Sequence, residues 1–161
     1  WSCCDTGNLF SFWNETPYST ADRQPMAGIK MFSLPVRIYF EDTDSGGVVY
    51  HSNYLKFLER ARTEWLRSLG IDQRYLKNTE HIMFVVHRIN IQYKLPARFN
   101  DDLIVKSELV EIGCSKVIFK QMIYRDHEML IDATVDVACI DSEKFKPVPI
   151  PKTIKHSMES L

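Results

Sequence analysis

The sequence predicts an α+β domain: one long helix laid on an antiparallel β-sheet. Three observations carry this. Residues 53–69 place Tyr54, Phe57, Leu58, Ala61, Trp65 and Leu69 at three- and four-residue spacing, which makes one broad apolar helical face. Residues 84–140 contain four extended candidates rich in β-branched and aromatic residues. The last three are joined by short turns, so an antiparallel meander is the economical topology. A helix face that is broad, apolar and contains Trp needs a surface to pack on, and the sheet supplies it.

Taken in order, residues 1–30 show no sustained period and many turn formers, and read as an extension with little fixed structure. The alternative there is packing on the core through Phe10, Phe12 and Trp13. Met31 can serve as a natural start, so the domain is taken as 31–161. Residues 35–40 read as a strand. The helix over 53–69 has Gly70 as its stop. Strand candidates follow at 84–93, 103–112, 115–124 and 129–140. The turn "KLPARFNDD" over 94–102 centres on Pro96 and Asn100, Gly113 punctuates the next junction, and "RDHE" the one after. In the last run Ile131, Ala133, Val135, Val137 and Cys139 share one face. The alternation Pro147, Pro149, Pro151 ends the fold in an extended segment.

Composition narrows the function. At 161 residues a single domain is the default, and 45% hydrophobic with 25% charged residues is enough for an ordinary core. A net charge of −1 argues against nucleic acid as the main partner, since a basic excess is the usual footprint, but leaves room for a local basic patch. The cysteines are Cys3, Cys4, Cys114 and Cys139, without a C-x-x-C pair; Cys114 and Cys139 read as reduced core residues. No apolar run approaches the ~20 residues of a membrane span, and no basic-then-apolar leader opens the chain. The expectation is a cytoplasmic protein, in which the sequon at Asn14 carries no weight.

The chemistry concentrates in "YFEDTDSGGVVYHSNY", residues 39–54. Compared with a calcium loop starting at Asp42, the fifth position is Gly46 and the twelfth Asn53, where acidic or amide ligands and a Glu are needed. Compared with an Asp-x-Asp phosphatase loop, a strand precedes it, but an antiparallel meander stands where a doubly wound parallel sheet belongs. A capped turn, with Asp44 or Ser45 satisfying helix N–H groups, is physically sound but leaves two acids and two glycines in one turn unexplained. A further reading uses all of them. Gly46 and Gly47 let a substrate approach the backbone. The helix start offers unpaired N–H groups for an oxyanion. An ionised aspartate beside them can attack a carbonyl or deprotonate water.

The run "PVRIYFEDTDSGGVVYHSNYLKFLERARTEWL", residues 35–66, resembles the hotdog-fold acyl-CoA thioesterases, in particular the Tol–Pal-associated YbgC type, relatives of 4-hydroxybenzoyl-CoA thioesterase. The resemblance continues through Phe84-Val85-Val86, Pro96-Ala97-Arg98, Asp101-Asp102, "VACID" at 137–141 and "KPVPIPK" at 146–152, and covers residues 34–155. It implies a hotdog fold, with an antiparallel sheet wrapped around the helix, and a homodimer or homotetramer with the site at the dimer interface. It implies hydrolysis of an acyl-CoA in lipid metabolism without metal or cofactor, coenzyme A entering only as the substrate's thioester. It places the catalytic aspartate on Asp44 and the oxyanion-polarising N–H on His51, with substrate along Gly47, Val48, Val49, Tyr50 and Asn53. An acyl carrier protein as a further partner, and a cytoplasmic location peripheral to the inner membrane, belong to the same inheritance. So does the competing picture of a non-catalytic acyl-CoA or acyl-carrier-protein binding module.

The neighbouring residues are read more plainly. Asp42 orients the loop, and Tyr50 shapes the acyl pocket or packs. Glu59, on the helix where another hotdog branch has its catalytic acid, pairs with Arg60 or Arg62. His81, His87, His127 and His156 lack metal-ligand spacing. Arg88, Lys94, Arg98 and Lys120 are candidates for the coenzyme A phosphates, none of them assigned.

Overall fold

The computed structural model describes residues 31–160; the readings made for residues 1–30 lie outside them. The elements in chain order are β1 (Phe32–Arg37), a 3-10 turn (Phe40–Asp42), α1 (Asn53–Ser68), α2 (Gln73–Thr79), β2 (Ile82–Tyr93), β3 (Asp102–Ile112), β4 (Lys116–Arg125), β5 (Glu128–Asp141) and α3 (Lys152–Glu159). All pairings are antiparallel and the sheet order is β1-β3-β4-β5-β2. The β3-β4-β5 meander is as expected, and β1 and β2 add themselves to its two sides.

The register aligns the apolar faces. Val105 pairs with Ile123 and Leu109 with Phe119; on the next strand Phe119 pairs with Val135 and Ile123 with Ile131. All six are buried. β2 carries a bulge between Val86 and Arg88. One extra residue there reverses the in/out alternation, so Phe84, Ile89 and Ile91 all pack toward the core although their numbers differ in parity.

α1 crosses this face and divides the core. Tyr54, Phe57, Leu58 and Ala61 join one apolar cluster with Val105, Ile123 and Ile131. Trp65 and Leu66 join a second with Phe119, Val135 and Cys139. A buried polar seam ties helix to sheet. The Gln121 side-chain amide donates to the Leu58 carbonyl (3.0 Å) and to Ser107 Oγ (2.7 Å), and its oxygen accepts from Arg62 Nη1 (2.6 Å). Arg62 is therefore turned inward rather than toward Glu59, which accepts from Thr63 Oγ1 (2.8 Å). Burial pushes the Cys139 thiol up to about 12, so it stays protonated and inert.

Three expectations need correcting. The first strand ends at Arg37, not at residue 40, because the Asp42 carboxylate accepts from the Tyr39 N–H (2.9 Å) and draws the chain into the 3-10 turn. α2 was not foreseen; Asp72 caps it by accepting from the N–H groups of Arg74 and Tyr75. The proline-rich tail is extended only up to Pro151. α3 follows and buries Ile154 and Met158, four residues apart, in the second cluster.

Gln121→Ala should cost about 1.5–3 kcal/mol in chemical denaturation, the range for losing a hydrogen bond to a charged group. Trp65→Ala should cost more, about 3–5 kcal/mol, through the cavity it leaves. A Gln121→Ala protein as stable as the parent would mean that the seam does not hold α1.

Candidate active site

Residues 42–50 form a short hairpin that ends where α1 begins. Thr43 and Val49 form an antiparallel bridge, and the Asp44 N–H donates to the Val48 carbonyl (2.9 Å). At the tip the Gly47 N–H donates to the Asp44 carbonyl (3.0 Å), and Gly47 has φ +74°, which a side chain disfavours. The Asp44 carboxylate accepts from the Gly46 N–H through Oδ1 (2.7 Å). A Cβ on Gly46 would come within 3.1 Å of that same oxygen. Asp44 is exposed, and its Oδ2 has no partner among the described residues.

Asp42 does the anchoring. Its main-chain carbonyl accepts from both the Tyr50 N–H (2.9 Å) and Asn53 Nδ2 (2.9 Å), and its side chain holds Tyr39. The second acid is thus a buried structural group while Asp44 faces solvent. Behind the hairpin the 97–101 loop is equally fixed. The Val49 N–H donates to the Ala97 carbonyl (2.9 Å), the Ala97 N–H to the Tyr54 hydroxyl (2.9 Å), and Arg125 Nη1 to Asp101 (2.9 Å).

His51 lies between hairpin and helix. Its N–H donates to no partner among the described residues, and its carbonyl accepts from the Tyr93 hydroxyl (3.2 Å). The His51 ring lies 4.4 Å from that of Tyr50 and 6.4 Å from that of Tyr93, which also meets Tyr54 edge-on. Burial raises the phenol pKa of both Tyr54 and Tyr93, keeping them neutral as hydrogen-bonding groups. Tyr93 was missed in the sequence, where it is only the last residue of a long strand.

Of the residues expected to meet substrate, Gly47 and Tyr50 are exposed and Val48 is partly so. Val49 and Asn53 are held by the fold instead. Val49 is buried in the first apolar cluster, and the Asn53 amide is committed to Asp42. Among the phosphate candidates, Lys94 and Lys120 both pair with Asp132, whereas Arg88 and Arg98 are exposed.

Comparison with known proteins identifies the fold and the family. The thioesterase-like superfamily matches residues 38–158. The acyl-CoA thioesterase YbgC of Haemophilus influenzae is 47% identical over 130 residues, covering 81% of this chain and 96% of the relative. The acyl-CoA thioester hydrolase YbgC of Escherichia coli is 42% identical over 125 residues, covering 77% and 92%. A probable thioesterase from Bartonella henselae superposes with a TM-score of 0.72 at 34% identity, covering 76% of this chain and all of that one.

Gly46→Ala should leave the fold intact but push against the Asp44 oxygen, whereas Gly47→Ala should cost about 1 kcal/mol because of its positive φ. Thermal denaturation separates the two: a marked loss of stability for Gly46→Ala alone would contradict this assignment.

Proposed function

The chain belongs to the thioesterase-like superfamily, as a YbgC-type acyl-CoA thioesterase of the hotdog fold, and on that premise we propose that Asp44 and the His51 amide carry the reaction. The observation behind this is a donor and a carboxylate on one fixed piece of backbone. The His51 N–H is unpaired at the start of α1, and Asp44 is held by Gly46 through a single oxygen. The thioester oxygen sits against the His51 N–H, where the helix start adds partial positive charge. Charge that builds on that oxygen during attack is stabilised by a donor already in place.

Asp44 then acts in one of two ways. As a nucleophile its carboxylate oxygen attacks the thioester carbon and expels the coenzyme A thiolate. The resulting mixed anhydride is hydrolysed by water, which restores the carboxylate. As a general base it takes a proton from water, whose oxygen attacks the same carbon. Both routes consume one water and release a carboxylic acid and the coenzyme A thiol. His51 contributes through its backbone, and its imidazole lines the site beside Tyr50. Neither route calls for a metal or an organic cofactor.

The working unit in this reading is a homodimer joined through β2. This strand ends the sheet with twelve residues and no neighbour on its outer side among the described residues. A long free edge of that kind invites pairing with a second copy.

Thiol release from a panel of acyl-CoAs tests the assignment. Asp44→Asn should lose about 10²-fold or more in kcat/KM while keeping its thermal stability, and EDTA should leave the parent rate unchanged. Full turnover by Asp44→Asn would move the chemistry to Glu59 or to the His51 side chain. Acyl-CoA binding with no turnover by the parent would favour a binding module. Sedimentation should give a dimer or a multiple of it, and an active monomer would exclude the joining role of β2.

A further inference from the structure

A second feature lies at the far end of α1. Beneath the free edge of β2 is a cavity of about 90 Å³. Its apolar wall includes Phe84, Val86, Phe119 and Met158, and its polar side carries Arg62 together with Glu59, Thr63 and Gln73. A volume of that size suits the last few atoms of a chain rather than a whole ligand.

Arg62 is the unusual member. It is only 7% exposed and carries five N–H donors. One of its bonds is to the neutral Gln121, and no carboxylate lies in ion-pair contact with it among the described residues. Glu59, the acid that acts on it electrostatically, is exposed and hydrogen-bonded to Thr63. Burial lowers the guanidinium pKa to about 10, which still leaves it charged at neutral pH. Among the described residues none of its remaining donors is both buried and unbonded, so they open onto the cavity, which Glu59 also lines. A ligand carboxylate would engage them, because a guanidinium presents paired N–H groups to paired oxygens.

The position of the cavity connects it with the site. Within one subunit Arg62 is nine residues beyond Asn53, about 14 Å along α1. Phe84 and Val86 mark one end of β2, and Tyr93, which bonds His51, marks the other. A two-fold pairing of β2 with its copy is antiparallel. With the axis near the middle of β2, the Phe84–Val86 end of one subunit would lie beside the Tyr93 end of the other. Val86 is 45% exposed on that edge and lines the cavity, so the cavity meets the joint.

We propose that this cavity receives the far end of the acyl chain and that Arg62 selects chains ending in a carboxylate. The substrate class is thus a mono-thioester of a dicarboxylic acid, with the thioester at one subunit's Asp44 hairpin and the free carboxylate at the partner's guanidinium. This deepens the acyl-CoA reading and rests on it.

The test pairs acyl-CoAs of matched length that differ only at the terminus, from butanoyl against succinyl to decanoyl against sebacoyl. Binding to Asp44→Asn is read by calorimetry, and kcat/KM is read on the parent protein. At the preferred length the carboxylate member should bind about ten-fold tighter or more, as expected for a charge-assisted hydrogen bond. Arg62→Met in the Asp44→Asn background should erase that preference while methyl-ended chains still bind. Equal or tighter binding of the methyl-ended member at every length overturns the proposal. That comparison needs no change at Arg62, so it decides even where Arg62→Met does not fold. Turnover of methyl-ended substrates without a carboxylate preference would remove this inference and leave the thioesterase reading intact. Failure of every acyl-CoA to bind would remove both.

Discussion

Everything in this domain follows from covering one side of a sheet with one long helix. α1 is the only helix among the described residues long enough to cross the strands, and one face of it is buried from Asn53 to Leu66. Its two halves enter separate apolar clusters, and a polar seam at Gln121 holds it at the boundary. Apolar packing alone does not fix where a helix stops along its axis, because sliding by a turn exchanges one set of contacts for another. A side-chain amide bonded to a particular carbonyl, Leu58, does fix it. The position of the α1 N-terminus, and hence of the His51 amide, is therefore set from Leu58, the point at which Gln121 holds the helix.

The same division of labour explains why two acids stand two residues apart. Asp42 gives up its reactivity to structure: its carbonyl clamps Tyr50 and Asn53, and its side chain ends the strand before it. Asp44 stays exposed because the hairpin needs only its backbone. The single side-chain bond it makes, from the Gly46 N–H, orients the carboxylate. Two glycines are required for different reasons, one for space beside that oxygen and one for its positive φ. A tip built this way is rigid at the backbone and open at the reacting atom, which is what preorganised catalysis needs.

Much of this was legible in the sequence. The period of three and four over residues 53–69 gave the helix and its buried face, and strict alternation gave the β5 face. The loop chemistry pointed to an aspartate beside the helix start, and the family resemblance singled out Asp44 and His51. What escaped was either short or long-range. α2 has seven residues, so its only strong signal is the Asp72 cap. α3 hides behind three prolines, and its apolar pair is too short to set a period. The resemblance offered Val49 and Asn53 as substrate contacts; their bonds to Ala97 and Asp42 depend on a proximity that no local pattern shows. Arg62 read as a surface partner of Glu59 because charged residues on helices usually face water; only the position of Gln121, fifty-nine residues on, turns it inward.

The bulge at the middle of β2 ties these strands of argument together. Without it, alternation would put Phe84 and Tyr93 on opposite faces of the sheet, since they are nine residues apart. The extra residue brings both to the helix side, so one strand lines the seam cavity at one end and supports His51 at the other. That strand is also an edge of the sheet. In the dimer proposed above, a two-fold axis at that edge runs the strand antiparallel to its copy, so the Asp44 hairpin of one chain would face the Arg62 cavity of the other. In that proposal the length of acyl chain that spans them is set by the register of one strand against its own copy, not by any residue that touches the thioester.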